Sequence, residues 1–266
     1  MKHIFKIILV ILIIVILVGV GIAFAGIRYY KNGGSSLSVF NYADSSSYGV
    51  GEATVRDRVK SISVNWFNGD VDVVEYDGKN VVLEEEVVQG AMDDDLRLRW
   101  KNDGGRLMVQ YAKAGKKYDL KNFQKKLIVK VPSSISLDEV QIDVVSSDAT
   151  VRLEEIRELE WDSVNGNLSA EFKSLDEADM DTVNGNVSLT VTSIAPSRIE
   201  FDCVNGDLTI SIPKDSSFTL TRESINGGFS SDFPVKVEGK DRYIAGDGKN
   251  RYKTESVNGN VSVKAI

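Results

Sequence analysis

Histidine is almost missing from this chain. Its single copy, His3, precedes a long apolar run, so everything after that run has none. That excludes Ser-His-Asp and Cys-His catalysis and every metal centre built on imidazole. Cysteine is as scarce: Cys203 stands alone, so neither an intrachain disulfide nor a thiolate cluster can form. The fold must therefore stand on packing and backbone pairing. Basic charge is also in deficit. Net charge is −7, and with Lys2 and Lys6 set aside 30 basic residues face 39 acidic ones, a balance of −9. Phosphate binding along a nucleic acid needs a basic face, so nucleic acid is excluded as a partner, and the same balance argues against lying on anionic lipid.

What is present begins with an uncharged run from Ile4 to Ile27. As a helix it would extend roughly 36 Å, enough to cross a hydrocarbon core of about 30 Å. Lys2 and Lys6 precede it and favour a cytoplasmic N-terminus, with Arg28 and Lys31 weakening that vote. Ala23-Phe24-Ala25 before Gly26 has the small-x-small form of a signal-peptidase site. The run nevertheless exceeds a usual signal core, which favours an anchor over a cleaved leader. Either way, the remainder is expected outside the cytoplasm. The Gly- and Ser-rich stretch that follows suggests a flexible stalk. The expected organisation is thus a cytoplasmic N-terminus over 1–3, a single-pass anchor over 4–27, a stalk over 28–57 and an extracytoplasmic β-domain over 58–266.

From residue 58 onward, alternation of period two prevails. Ile62, Val64 and Trp66 share a face, as do Leu107, Val109 and Tyr111, and Leu127, Val129 and Val131. Asn-Gly, Asp-Gly and Gly-Gly separate these runs, so residues 58–131 are expected to hold about six mostly antiparallel strands. The second half repeats a motif: Asp162-Ser-Val-Asn-Gly-Asn167, Asp181-Thr-Val-Asn-Gly-Asn186, Asp202-Cys-Val-Asn-Gly-Asp207, Glu223-Ser-Ile-Asn-Gly-Gly228 and Glu255-Ser-Val-Asn-Gly-Asn260. A degenerate copy, Asp143-Val-Val-Ser-Ser-Asp148, precedes them, and Asn65-Trp-Phe-Asn-Gly-Asp70 is an outlying one. At the glycine position the steps from 147 are 19, 19, 21, 21 and 32. A period near 20 marks a solenoid, each coil burying its apolar side against its neighbours.

Two short strands per coil joined by the Asn-Gly bend account for that length. Glycine supplies positive φ and asparagine tolerates turns. Stacked at one corner, Asn165-Gly166, Asn184-Gly185, Asn205-Gly206, Asn226-Gly227 and Asn258-Gly259 are expected to form a hydrogen-bonded ladder. The longer last step comes from an insertion, Pro234 to Tyr252, expected as a hairpin or loop projecting from the stack.

These residues resemble a known family. Ile62-Ser-Val-Asn-Trp-Phe-Asn-Gly-Asp-Val71, Lys126-Leu-Ile-Val-Lys-Val-Pro132, the serial Val-Asn-Gly-Asn motifs and Gly246-Asp-Gly248 are similar to the putative-adhesin family of Gram-positive envelope proteins, LiaG-like and LiaX-like. The resemblance covers roughly 58–266. It implies a β-solenoid-like domain on the outer side of the membrane, a part in envelope stress or surface interaction, and no catalytic residues.

Candidate chemistry is sparse. Cys203 occupies the repeat position of Ser163, Thr182, Ser224 and Ser256, where a small packed side chain suffices and no base is at hand. Ser211-Ile-Pro-Lys214 matches Ser-x-x-Lys, but Pro213 after a strand denies it the helical geometry that motif requires. The three Asn-x-Ser sequons follow automatically from the repeat. Asp162, Asp181, Asp202, Glu223 and Glu255 are expected to stack as a carboxylate column, which repels itself unless solvated or bridged, with calcium as the candidate cation. The chain is accordingly expected to be an all-β, cofactor-free, non-enzymatic interaction module. Its expected partners are the membrane and an envelope protein or wall polymer. A polysaccharide-acting β-helix enzyme using surface carboxylates is the alternative.

Overall fold

A computed structural model describes residues 46–266, apart from 115, 117 and 119. The anchor expected over 4–27 lies outside these residues, and no helix among those described is long and apolar enough to cross a membrane. All regular elements among the described residues are strands. The alternation is the cause: apolar side chains at every second position fit a strand with one buried face. Trp161, Met180 and Phe201 before the Asn-Gly bend, and Leu168, Val187 and Leu208 after it, are buried in one continuous core.

Each coil contributes one strand before the bend and one after it, so the stack has two faces. Before the bend, β9 (Leu137–Ser146), the second half of β10 (Ala149–Asn165), the second half of β11 (Leu168–Asn184) and β13 (Arg198–Asn205) pair in parallel. After it, the first halves of β10 and β11, then β12 (Val187–Ile194) and β14 (Leu208–Ile212), pair likewise. The motifs fall in register: Asp162 lies opposite Asp181 and Asp181 opposite Asp202.

The coils do not follow chain order at either end. The last copy, on β19 (Asn250–Asn258) and β20 (Val261–Ala265), inserts between the coil of β13 and β14 and that of β15 (Phe218–Asn226) and β16 (Phe229–Ser231). Its outcome is that the final strand is interior, not the open edge its place near the end of the chain suggests. The first half mirrors this. β3 (Ser61–Asn68) and β4 (Val71–Tyr76) sit between β7 (Arg106–Gln110) and β8 (Gln124–Pro132) on one side and β9 and β10 on the other. The outlying Asn65–Asp70 copy therefore docks directly against the degenerate one, with Asn65 opposite Asp143. Six strands do occupy 61–132, but these four are parallel members of the same stack, which corrects the antiparallel expectation.

Antiparallel pairs close both ends. At one end β6 (Arg99–Asp103) covers β7, and β5 (Val81–Gln89) covers β8. β1 (Gly49–Val50) and β2 (Ala53–Val55) add to them, so residues 49–55 of the expected stalk belong to the folded domain. At the other end the insertion does not project. Its β17 (Val235–Glu238) and β18 (Arg242–Ala245) form a hairpin that extends the sheet beyond β15. Such closure keeps a long parallel edge from meeting another chain.

The first cap is pinned by a buried lysine. Lys125 is fully buried, with Nζ 4.8 Å from the Trp66 ring centre, 4.6 Å from that of Tyr111 and 2.7 Å from a Glu85 carboxylate oxygen. Burial outweighs Glu85 and depresses its pKa to about 8. Trp66 Nε1 donates to the Lys125 carbonyl at 3.0 Å, tying the outlying bend to the cap.

Candidate interaction face

The corner carries two rails of hydrogen bonds. Along the first, Asn184 Nδ2 donates to Asn165 Oδ1 at 3.0 Å, Asn205 to Asn184 at 2.9 Å, Asn258 to Asn205 at 2.7 Å and Asn226 to Asn258 at 2.9 Å. The ladder thus unites all five predicted asparagines, in spatial rather than chain order. Along the second rail, side-chain oxygens of Asp148, Asn167, Asn186, Asp207 and Asn260 accept backbone N–H bonds from Asn167, Asn186, Asp207, Asn260 and Gly228 respectively. The sequence pointed to only one rail. The second is written in the Asn or Asp that closes every motif but the one ending at Gly228, which only donates.

Glycine at the corner has a different cause from the one expected. Of the ladder glycines only Gly227 has positive φ, at 134°. A Cβ on Gly166 would lie 1.9 Å from the Ser147 carbonyl oxygen, one on Gly185 1.7 Å from that of Gly166, and one on Gly206 1.8 Å from that of Gly185. Gly259 would meet the Gly206 oxygen at 2.1 Å. Backbone stacks on backbone here, and no side chain fits between.

Beside the corner, on the outer side of the pre-bend face, the acids align as Asp143, Asp162, Asp181, Asp202, Glu255 and Glu223 in spatial order. Two further acidic columns share this face: Glu160, Asp179 and Glu200, and Glu139, Glu158 and Glu177. Sequence reasoning followed only the motif and missed them, although they lie two and four residues upstream, where outward side chains must recur. A column of Val145, Val164, Val183, Val204, Val257 and Ile225 also escaped it. These six stand between the acids and the asparagines, and Ile225 is 41% exposed.

Carboxylates stacked about one strand apart, roughly 4.8 Å, resist ionisation together. Burial first, and neighbouring carboxylates second, push Asp181 up to about 8, Asp143 to about 7 and Asp202 to about 6. Asp143 and Asp162 share a hydrogen bond, hence one proton between them, and Asp162 is raised as well. No group of three or more His, Cys, Asp or Glu side chains among the described residues is arranged to hold a metal ion, so the column is a line of acids and not a cage.

This row sets a pH dependence. The unfolded carboxyls titrate near 3.9, whereas in the folded row Asp202 keeps its proton up to about pH 6, Asp143 to about 7 and Asp181 to about 8. Between those values the folded state binds more protons, so stability falls as pH rises through the window. The row is partly open to water, which holds the summed loss to on the order of 2 kcal/mol. The melting temperature is expected to drop by several degrees between pH 5 and pH 8.5, and Asp181→Asn to flatten the slope. A flat or rising profile in the unsubstituted protein would contradict the stacked geometry.

The remaining candidates stay chemically inert. Cys203 is buried, its thiol pushed up to about 12, chiefly by burial, and Sγ lies 3.3 Å from the Gly206 carbonyl oxygen. Ser211 lies within β14 and Pro213 just beyond its end, so Ser-x-x-Lys is not on a helix.

One family model, described as Toastrack DUF4097, matches residues 59–202 and again 174–264. A comparison with curated proteins finds no match. Among solved structures, a putative cell adhesion protein from Clostridium sporogenes is 14% identical and covers 82% of this chain and 100% of its own, with a TM-score of 0.46. A putative adhesin from Bacteroides fragilis is 13% identical over 82% of this chain and 97% of its own, with a TM-score of 0.39.

Proposed function

This chain belongs to the Toastrack DUF4097 family, and we propose that it works as a membrane-anchored, extracytoplasmic β-solenoid whose outer face binds an envelope component without transforming it. One observation carries this reading. Acid, valine and asparagine columns run side by side through successive coils, so a partner meets the same contacts at every strand step. Such a surface suits an extended or repeating partner such as a wall polymer. The uncharged leader from Ile4 to Ile27 supports the anchor.

The enzymatic alternative needs a local exception: a carboxylate pair set apart from its neighbours and one partner tuned differently from the other. Here the carboxylates recur along the stack and the residues from 28 onward offer no histidine.

The test uses the full chain in neutral-lipid nanodiscs, mixed with purified Gram-positive wall sacculi. Co-sedimentation is expected, with weakening when Val183→Lys and Val204→Lys are combined, and no reducing ends released above blank. Sugar release that disappears in Asp181→Asn would establish an enzyme instead, and absence of sedimentation would remove the wall as partner.

A further inference from the structure

The outer pre-bend face changes sign along the stack. Four residues before each motif acid stand Glu139, Glu158 and Glu177, and then, in spatial order, Arg198, Arg251 and Thr219. Two residues before it, Gln141, Glu160, Asp179 and Glu200 give way to Lys253 and Thr221. The tucked last coil produces this reversal. In chain order Thr219 would follow Arg198; the insertion instead sets Arg251 directly beside Arg198 and Lys253 beside Glu200.

A groove of about 640 Å³ opens over this region, with Arg198, Arg242, Lys249, Arg251 and Lys253 in its lining and Glu200 its one carboxylate. Three of the cations are tethered at the rim: Arg198 by Glu177 and Glu200, Arg242 by Glu238, and Lys253 by Glu255. Arg251 and Lys249 have no ion pair within 4 Å among the described residues and are exposed. Like charges directly opposite on neighbouring strands destabilise a sheet unless an anion bridges them. The groove also has a formed wall. The loop carrying Lys249 is held over the sheet by a Thr219 Oγ1 bond to the Gly248 carbonyl at 3.1 Å. A Cβ on Gly248 would lie 2.6 Å from Thr219 Oγ1, so the loop's closeness depends on glycine at this position.

We propose that this groove binds a phosphate-bearing anion, with Arg251 and Lys249 as the primary contacts. The proposal rests on the reading of the outer face as a binding surface and supplies its ligand chemistry. The unpaired Arg251 fork, with the Lys249 ammonium beside it in the lining, suits a tetrahedral oxyanion that accepts from both, while Arg198 keeps its two carboxylates. The volume exceeds what a single phosphate fills, and the outward column of Glu139, Glu158 and Glu177 on the neighbouring coils repels an anion there, confining it to this end. A phosphodiester chain and a lipid headgroup offer the same chemistry.

The experiment uses the full chain in phosphatidylcholine nanodiscs at low salt. Three probes are titrated: fluorescent poly(glycerol phosphate), vesicles of phosphatidylcholine mixed with phosphatidylglycerol, and the carboxylate polymer polygalacturonate. Arg251→Glu is compared with Arg152→Glu, an exposed position of equal charge change on the other face. Saturable binding of poly(glycerol phosphate) or the vesicles is expected, weakened about tenfold or more by Arg251→Glu and little by Arg152→Glu. Binding of the polymer alone assigns a phosphodiester chain, and binding of the vesicles assigns a headgroup. No binding of either phosphate probe, equal loss in both variants, or equal binding of polygalacturonate overturns the proposal. Sacculus co-sedimentation that survives Arg251→Glu while both phosphate probes fail leaves the binding-surface reading intact; failure of sedimentation as well removes both.

Discussion

Gly185→Ala is expected to lower stability by about 3 kcal/mol or more, equivalent to roughly 6–12 °C in melting temperature for a domain of this size. The added methyl would lie 1.7 Å from the Gly166 carbonyl oxygen, and neither backbone can withdraw without parting two coils. The displaced oxygen belongs to the glycine beside Asn165, so the Asn184–Asn165 bond of 3.0 Å is expected to suffer too. Gly228→Ala is the control. Its new Cβ would find only the Asn260 side chain, at 3.6 Å, and φ there is not positive, so the melting temperature should barely move. Thermal melts of the two variants check this directly. Equal small effects would mean that the corner has room, and that the coils are not stacked as closely as described.

Ending the chain at Lys249 is expected to release far more than the seventeen residues removed. In a stack that follows chain order, losing a terminal coil costs one interface and leaves the rest capped by its neighbour. Here the last coil lies between two others. Without β19 and β20, β15 keeps only the β18 hairpin, and Phe218 loses the stacked Tyr252 ring, whose centre lies 5.3 Å away, keeping only the edge-on contact with Phe233. Residues 218–245 are therefore expected to lose hydrogen-exchange protection and become protease-sensitive, while the coils through β9 to β12 stay protected. Protection persisting across 218–245 in the shortened chain would show that this segment docks elsewhere.

The local architecture was legible because the motif is an address within a coil. Period-two alternation marks what faces inward, and the Asn-Gly pair marks the bend, so the buried columns and the amide ladder follow from the residues alone. The address of each coil within the stack is not written in the motif. Val-Asn-Gly-Asn at 257–260 fits equally well against 204–207 or 225–228, because parallel strands with identical corners offer identical partners. What separates the positions is long-range: the stack of Tyr252 on Phe218 and the hairpin that takes the outer edge of β15. The basic groove was hidden for the same reason, since Arg198 and Arg251 are 53 residues apart and become neighbours only by insertion. A net charge of −7 also concealed a local cluster of the opposite sign. The glycines were identified correctly as corner residues, but positive φ accounts only for Gly227; at the other four the cause is close carbonyl approach, which sequence displays less readily than conformational freedom.

The inserted last coil determines the ladder order, the place of the β15–β18 cap and the groove together. Pairwise thiol cross-linking tests it, in the full chain carrying Cys203→Ser, with a reagent that spans one strand step of roughly 5 Å but not two. Glu200→Cys with Lys253→Cys, and Thr221→Cys with Lys253→Cys, should each link efficiently, because Lys253 is directly opposite both partners. Glu200→Cys with Thr221→Cys should not link, since a whole coil separates them. Efficient linkage of that third pair, with loss of the Glu200–Lys253 link, would place the coils in simple chain order and contradict the account.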